Sequence, residues 1–204
     1  MFSDRLNLPI NSEKLAQQDQ TLSLSGMTWE DYEQITQERS NYRVSYFDGV
    51  ITIVSPSKSH EVIERVISVL INAYCRQYNL LYFPMGSTTL KNPLTVGKEP
   101  DTSYAFVTSK PIPDLAVEVI FSSGSTIDLV KYKYLRVNEV WFWQNEKIIF
   151  YQLIDSKYEA IEVSSCLSNL SSEFLIGFIN RGLTESPLII EADFTSQLES
   201  DIHS

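Results

Sequence analysis

The alternation of apolar and polar residues divides the chain into short strands and a few helices. "YRVSYFDGVITIV" is the clearest local signal, two β-rich runs around Asp48-Gly49, a dipeptide suited to a tight hairpin turn. Upstream, "MTWEDYEQITQE" predicts a short helix capped by Thr28, with Asp31 three residues on in the capping-box position. After "SPSKS", Val62, Ile63, Val66, Ile67, Leu70 and Tyr74 recur at helical spacing and predict a long amphipathic helix over 59–78. "LLYFP", "DTSYAFV" and "LAVEVIF" read as strands, and "GSTTLKNPLTVGK" as a loop or irregular hairpin. "SGSTIDLVKYKYLRV" predicts a helix entered through Ser and Gly. "EVWFWQ" and "KIIFYQLI" flank the polar turn Asn145-Glu146, and "YEAIEV" follows as a third strand. "SSEFLIGFINRGL" closes the series as an amphipathic helix ending at Gly182.

That order predicts a mixed α/β domain, with helices packed on a central mixed β-sheet. The expected boundaries are a loose polar leader over 1–26, the folded domain over 27–184 and an acidic tail over 185–204. The tail carries Glu185, Glu191, Asp193, Glu199 and Asp201 without a lysine or arginine, so the body is less acidic than the formal charge of −10 suggests. No basic patch is obvious, which argues against tight general nucleic-acid binding. Hydrophobic residues make up 43% of the 204, enough for a proper core.

Cys75 and Cys166 lack CxxC spacing and read as reduced thiols. The only histidines are His60 and His203, which excludes a His-rich metal site and leaves His60 as the one base a Ser-His-Asp triad could use. "MFSDRLNLPI" lacks a signal-peptide core and no run is long enough to span a bilayer. A cytoplasmic location with no membrane partner is the default expectation.

The chemistry concentrates in "KEPDTSYAF" and "PIPDLAVEVIFSSGS". Asp101 follows a proline at the mouth of one apolar run, and Glu118 lies inside the next. A central strand covered on both faces reads as a nearly continuous apolar run, so Glu118 is not simply solvent-facing. Burying a lone carboxylate is costly unless it is paired or metal-bound. Two answers are open. Asp101 and Glu118 converge from neighbouring strands on a hard divalent cation, or Asp101 sits in an ordinary turn while Glu118 pairs with a buried Arg, Lys or Tyr.

From about Thr28 to Tyr151 the chain resembles a bacterial family described as putative restriction endonucleases, a branch of the PD-(D/E)XK nuclease superfamily. The residues carrying the resemblance are "YFDGVITIVSPSKSHEVI", "GSTTLK", "EPDTSYAF", "PDLAVEVIFSSGS" and "NEVWFWQ". It implies a restriction-endonuclease-like core, Mg²⁺ (or Mn²⁺) as cofactor, phosphodiester hydrolysis and DNA as substrate. Asp101 falls on the family's Pro-Asp aspartate and Glu118 on the acid of the (D/E)XK strand, both expected to hold the metal.

Two positions depart from that pattern. Ser45 stands where the family usually has an acid. The last position of the (D/E)XK strand is Ile120, normal for a family whose lysine is displaced into the following helix, just before a leucine. Here that leucine is Leu129, and Asp128 precedes it. Lys131, three residues later on the same helical face, becomes the candidate catalytic lysine. An acid at 128 inverts the charge facing a phosphate, which predicts weak cleavage that Asp128→Lys raises. The alternatives are a nuclease-fold binding or assembly module, favoured by Ser45 and Asp128, and a homodimer paired through the aromatic strands. His60 opens the long helix in a capping, packing or site role. Glu61 and Glu64 offer a carboxylate toward the sheet or a solvated face. Lys131, Lys133 and Arg136 read as a small basic face, and Trp141, Phe142 and Trp143 as core or dimer interface.

Overall fold

The structure, a computed structural model, describes residues 18–37, 42–121 and 125–202. Most of the expected leader, the Ser/Gly entrance at 122–124 and His203 lie outside these residues. The expected mixed α/β architecture is present, its strands divided between two sheets, one of them mixed. The first is antiparallel, in the order β1-β3-β2-β6-β5: β1 is Gln20–Ser25, β2 Arg43–Phe47, β3 Val50–Ser55, β5 Leu90–Asn92 and β6 Val96–Lys98. The second is mixed, in the order β11-β10-β9-β8-β7-β4: β4 is Tyr82–Pro84, β7 Thr102–Phe106, β8 Leu115–Ile120, β9 Glu139–Gln144, β10 Lys147–Ile154 and β11 Lys157–Ile161. Its parallel pair is β8 with β9, crossed over by helix α3, Ser125–Leu135.

Helix α1, Trp29–Gln37, starts at the expected capping box: the amide and hydroxyl of Thr28 donate to Asp31 Oδ2 at 2.8 and 2.9 Å, and the amide of Asp31 donates back to Thr28 Oγ1 at 3.2 Å. Its Trp29 and Tyr32 pack with Val44, Tyr46, Ile51 and Ile53 on one face of the first sheet. Helix α2, Lys58–Gln77, lays Ile63, Val66, Ile67, Leu70 and Ile71 on the second sheet. Each such side chain contributes about 1.5–3 kcal/mol by leaving water.

Period-two alternation in β8 then fixes the site. Leu115, Val117 and Val119 enter the core under α2, whereas Ala116 enters the core under α3. Glu118 shares the Ala116 face and so looks toward α3 and the first sheet.

Two regions differ from expectation. Residues 20–25, read as leader, form β1, because Leu22 and Leu24 alternate with Thr21 and Ser23 along the β3 edge. The acidic segment 187–202 is helix α5, following α4 at Ser172–Arg181, and it buries Ile190, Phe194 and Leu198 in the main core. Glu191 on this helix pairs with Arg76 and Asp193 with Arg181.

Candidate active site

A cavity of about 210 Å³ lies between the two sheets and α3. Asp101, Glu118 and Lys131 all line it, so the structure brings the three sequence-chosen residues together. Asp101 stands one residue before β7. Its amide donates to the Val117 carbonyl at 3.2 Å and its Oδ2 accepts the Val119 amide at 2.7 Å, so it grips β8 on either side of Glu118. Its Oδ1 lies 2.9 Å from His60 Nε2 and 3.5 Å from Arg43 Nε. Both nitrogens are buried and make ion-pair contacts there without hydrogen-bond alignment.

Glu118 is 5% exposed and fully partnered. Lys98 Nζ lies 3.0 Å from each of its oxygens, and the Tyr132 hydroxyl donates to Oε1. Burial, with Asp101 and Asp128 nearby, outweighs Lys98 and pushes its carboxyl up to about 7. Lys98 feels burial against its charge, but Asp128, Glu118 and Asp101 hold its pKa well above the ordinary lysine value. The pairing anticipated as the alternative, Glu118 with a buried Lys or Tyr, is therefore present with both.

Lys131 is buried, not part of a surface basic face; Lys133 and Arg136 are exposed. Its Nζ donates to Ser45 Oγ and to Asp128 Oδ1, both at 2.9 Å. Burial pulls its pKa below the ordinary value, with Asp128 opposing that and Lys98 adding to it. Asp128 is also 3.9 Å from Lys98, and although burial opposes its charge, the two lysines hold its carboxyl low.

His60 joins the site through the start of α2. Ser57 caps that helix, accepting the His60 amide at 3.2 Å. The ring's Nδ1 lies 2.9 Å from Asp19 Oδ2, and Asp19 Oδ1 accepts the Ser57 amide at 2.8 Å. Burial works against a charged ring, but Asp101 and Asp19 overcome it and hold His60 up to about 10. The cavity is thus lined by four acids (Asp19, Asp101, Glu118, Asp128) and four bases (Arg43, His60, Lys98, Lys131).

Sequence reasoning missed Lys98, Arg43 and Asp19. Arg43 and Ser45 are two apart in one strand, and Ser45 pairs with Lys98 across β2 and β6, so period two could have found Arg43 once Ser45 was chosen. Nothing local marks Asp19. Of the remaining candidates, Glu61 contacts Arg43 at 3.6 Å, while Glu64 is buried behind the site, accepting from Ser68 Oγ at 2.8 Å, its carboxyl pushed up by burial. Trp141, Phe142 and Trp143 are at most 3% exposed, which makes them core and removes them as a subunit-pairing surface. Cys75 and Cys166 are free thiols.

An acid at the mouth of one strand, a second acid inside the next and buried lysines opposite thus stand together over the mixed sheet. Residues 29–184 match the Uma2 family, described as putative restriction endonuclease, and the chain belongs to that family. Its fold is similar to the crystal structure of a putative nuclease belonging to DUF820 from Anabaena variabilis ATCC 29413. The TM-score is 0.55 at 14% identity, over 75% of this chain and 99% of that one. No curated protein matches the chain. Among the described residues no helix is long and apolar enough to cross a membrane.

Proposed function

We propose that this protein is a metal-dependent endonuclease that hydrolyses DNA phosphodiester bonds in the cavity between its sheets. What carries the reading is the convergence of Asp101 and Glu118 with two buried lysines in one cavity, in a chain of a restriction-endonuclease family.

The donor set fits a small hard cation. Among the described residues no three His, Cys, Asp or Glu side chains gather as a metal cage. Two carboxylates alone suit Mg²⁺ or Mn²⁺, which keep several waters and phosphate oxygens, better than Zn²⁺ or Ca²⁺. Burial, with Asp101 and Asp128 nearby, raises the carboxyl of Glu118 despite Lys98, and a cation held there would offset that cost. Held by Asp101 and Glu118, such an ion supplies Lewis-acid polarisation of the phosphodiester and activation of water.

The chain's own residues do the rest. The Val119 amide, His60 and Arg43 fix Asp101 in one orientation. Lys98 and Lys131 set positive charge along the wall where the phosphorane's charge develops as water adds to phosphorus and one P–O ester bond breaks. Burial strengthens that interaction by excluding solvent.

Nicking of supercoiled plasmid with added Mg²⁺ or Mn²⁺ tests the proposal. The native chain nicks, Glu118→Gln and Asp101→Asn do not, and EDTA stops the reaction. The second reading, a nuclease-fold protein that binds DNA or a protein partner without cutting, is favoured by one observation: every acid lining the cavity has a protein donor against it already. Intact plasmid with the native protein at every metal tried, together with a gel shift, selects it.

A further inference from the structure

Asp128 is an acid where a phosphate-handling cavity needs positive charge, and its surroundings explain why it is tolerated. It lies 2.9 Å from Lys131 and 3.9 Å from Lys98, and it is more exposed than either lysine. The three form one corner carrying two positive charges and one negative, a net of +1. Without Asp128, Lys98 and Lys131 are like charges side by side in a buried wall, with no counter-charge bridging them. Lys131 also donates to Ser45 on β2 and Lys98 also grips Glu118 on β8, so the corner joins α3 to both sheets.

We infer that Asp128 is a positioning residue: it holds Lys98 and Lys131 together at the cavity wall, so that the corner presents one net positive charge to the scissile phosphate. Lys98 faces the phosphate beside Glu118, and Lys131 braces the arrangement through Ser45. The inference rests on the nuclease reading, adds Asp128 to it, and separates the role of Lys98 from that of Lys131. It also reverses the expectation from sequence that Asp128 is a defect which lysine repairs.

The experiment compares steady-state DNA cleavage by the full chain with its Asp128→Asn, Asp128→Glu, Asp128→Lys, Lys131→Gln and Asp128→Asn/Lys131→Gln variants, each first checked by thermal melting. Asp128→Asn lowers kcat about tenfold or more with KM within about threefold, because the group acts in the transition state through the lysines and not in binding. Asp128→Glu recovers most of kcat, which a merely structural role does not explain. Asp128→Lys falls at least as far as Asp128→Asn. The double variant is no worse than the poorer single, and the same non-additivity appears in urea stability, a readout independent of activity. Native-like kcat in Asp128→Asn, a faster Asp128→Lys, or additive effects of Asp128→Asn and Lys131→Gln overturns the inference while leaving the nuclease reading standing. A native chain that never cleaves removes the nuclease reading, and this inference with it.

Discussion

Glu139→Gln isolates a second buried glutamate that has no part in the cavity. Glu139 is 0% exposed and opens β9, with its amide donating to the Asp114 carbonyl ahead of β8. Its Oε1 accepts from Trp141 Nε1 at 2.5 Å and Ser164 Oγ at 2.7 Å. Its Oε2 accepts from the Ser165 amide at 2.7 Å, Ser165 Oγ at 2.5 Å and the Cys166 amide at 3.0 Å. All these donors are neutral. In glutamine one oxygen becomes a donor. Placed at Oε2 it opposes two backbone N–H groups that cannot turn away, so it settles at Oε1, where Ser164 can rotate and only the Trp141 N–H is orphaned. An orphaned buried donor costs about 1–3 kcal/mol, and the remaining bonds lose roughly half their strength with the charge. The sum is about 3–5 kcal/mol, on the order of 6–20 °C in Tm for a domain of this size. Urea unfolding at pH 7, followed by tryptophan fluorescence, reads it directly. A loss under about 1 kcal/mol refutes the accounting, because a solvated carboxylate at the surface costs that little. Plasmid nicking well below the melting point stays native, unlike in Glu118→Gln.

The direction of the pKa shifts in the cavity predicts greatest stability on the acid side of neutrality. His60, raised from 6.5 to about 10, gives stability that is whole below about 6.5 and lost as pH climbs through 10. Glu118, raised from 4.5 to about 7, makes the fold lose stability as pH rises between those values, whereas Asp19 and Asp128, lowered from 3.8, lose theirs only in stronger acid. Melting across pH 3–10 should peak near 5, and a peak at 8 or above refutes the raised pKa of His60 and Glu118. Millimolar Mg²⁺ raises Tm by mass action, and Asp101→Asn removes the shift; an equal shift in both proteins places the ion elsewhere. Gly97→Ala drives a Cβ into the Tyr32 ring, costs about 1–3 kcal/mol and disturbs the adjacent Lys98, which is seen as a lower urea midpoint.

The sequence was most legible where one residue broke a local pattern. Glu118 inside "LAVEVIF" and Asp101 after Pro100 stand out against apolar runs, and the Asp48-Gly49 hairpin, the Thr28 box and the long helix are all local. Lys98 was invisible because its partner Glu118 is twenty residues away on another sheet, and "VGK" is too short to show a period. Asp19 sits before a six-residue edge strand whose two leucines are too few to outweigh its polar neighbours. Helix α5 was read as a tail because charge counts ignore the spacing of Ile190, Phe194 and Leu198, which stack one turn apart. Glu139 looked like an ordinary strand start, since all its donors except the Trp141 N–H are supplied by a loop 25 to 27 residues later.

Lys131 touches Ser45 and Asp128 at once, and this ties together the two positions where the chain departs from the pattern it resembles. An acid at 45 and a lysine at 128 would place one charge of each sign on facing elements. Here the acid stands on the helix and the strand keeps a hydroxyl, with the lysine one turn along. If Asp128 positions the two lysines, the two departures would be a single exchange with rugged mutational paths. Ser45→Glu alone crowds a second acid around Lys131, Asp128→Lys alone crowds a third lysine beside Lys98, and only the pair together returns an acid to face the added cation. Repair guided by relatives, one residue at a time, would then run downhill at each first step. Sign epistasis of this kind would hold a lineage to its own version of the site long after either version could work.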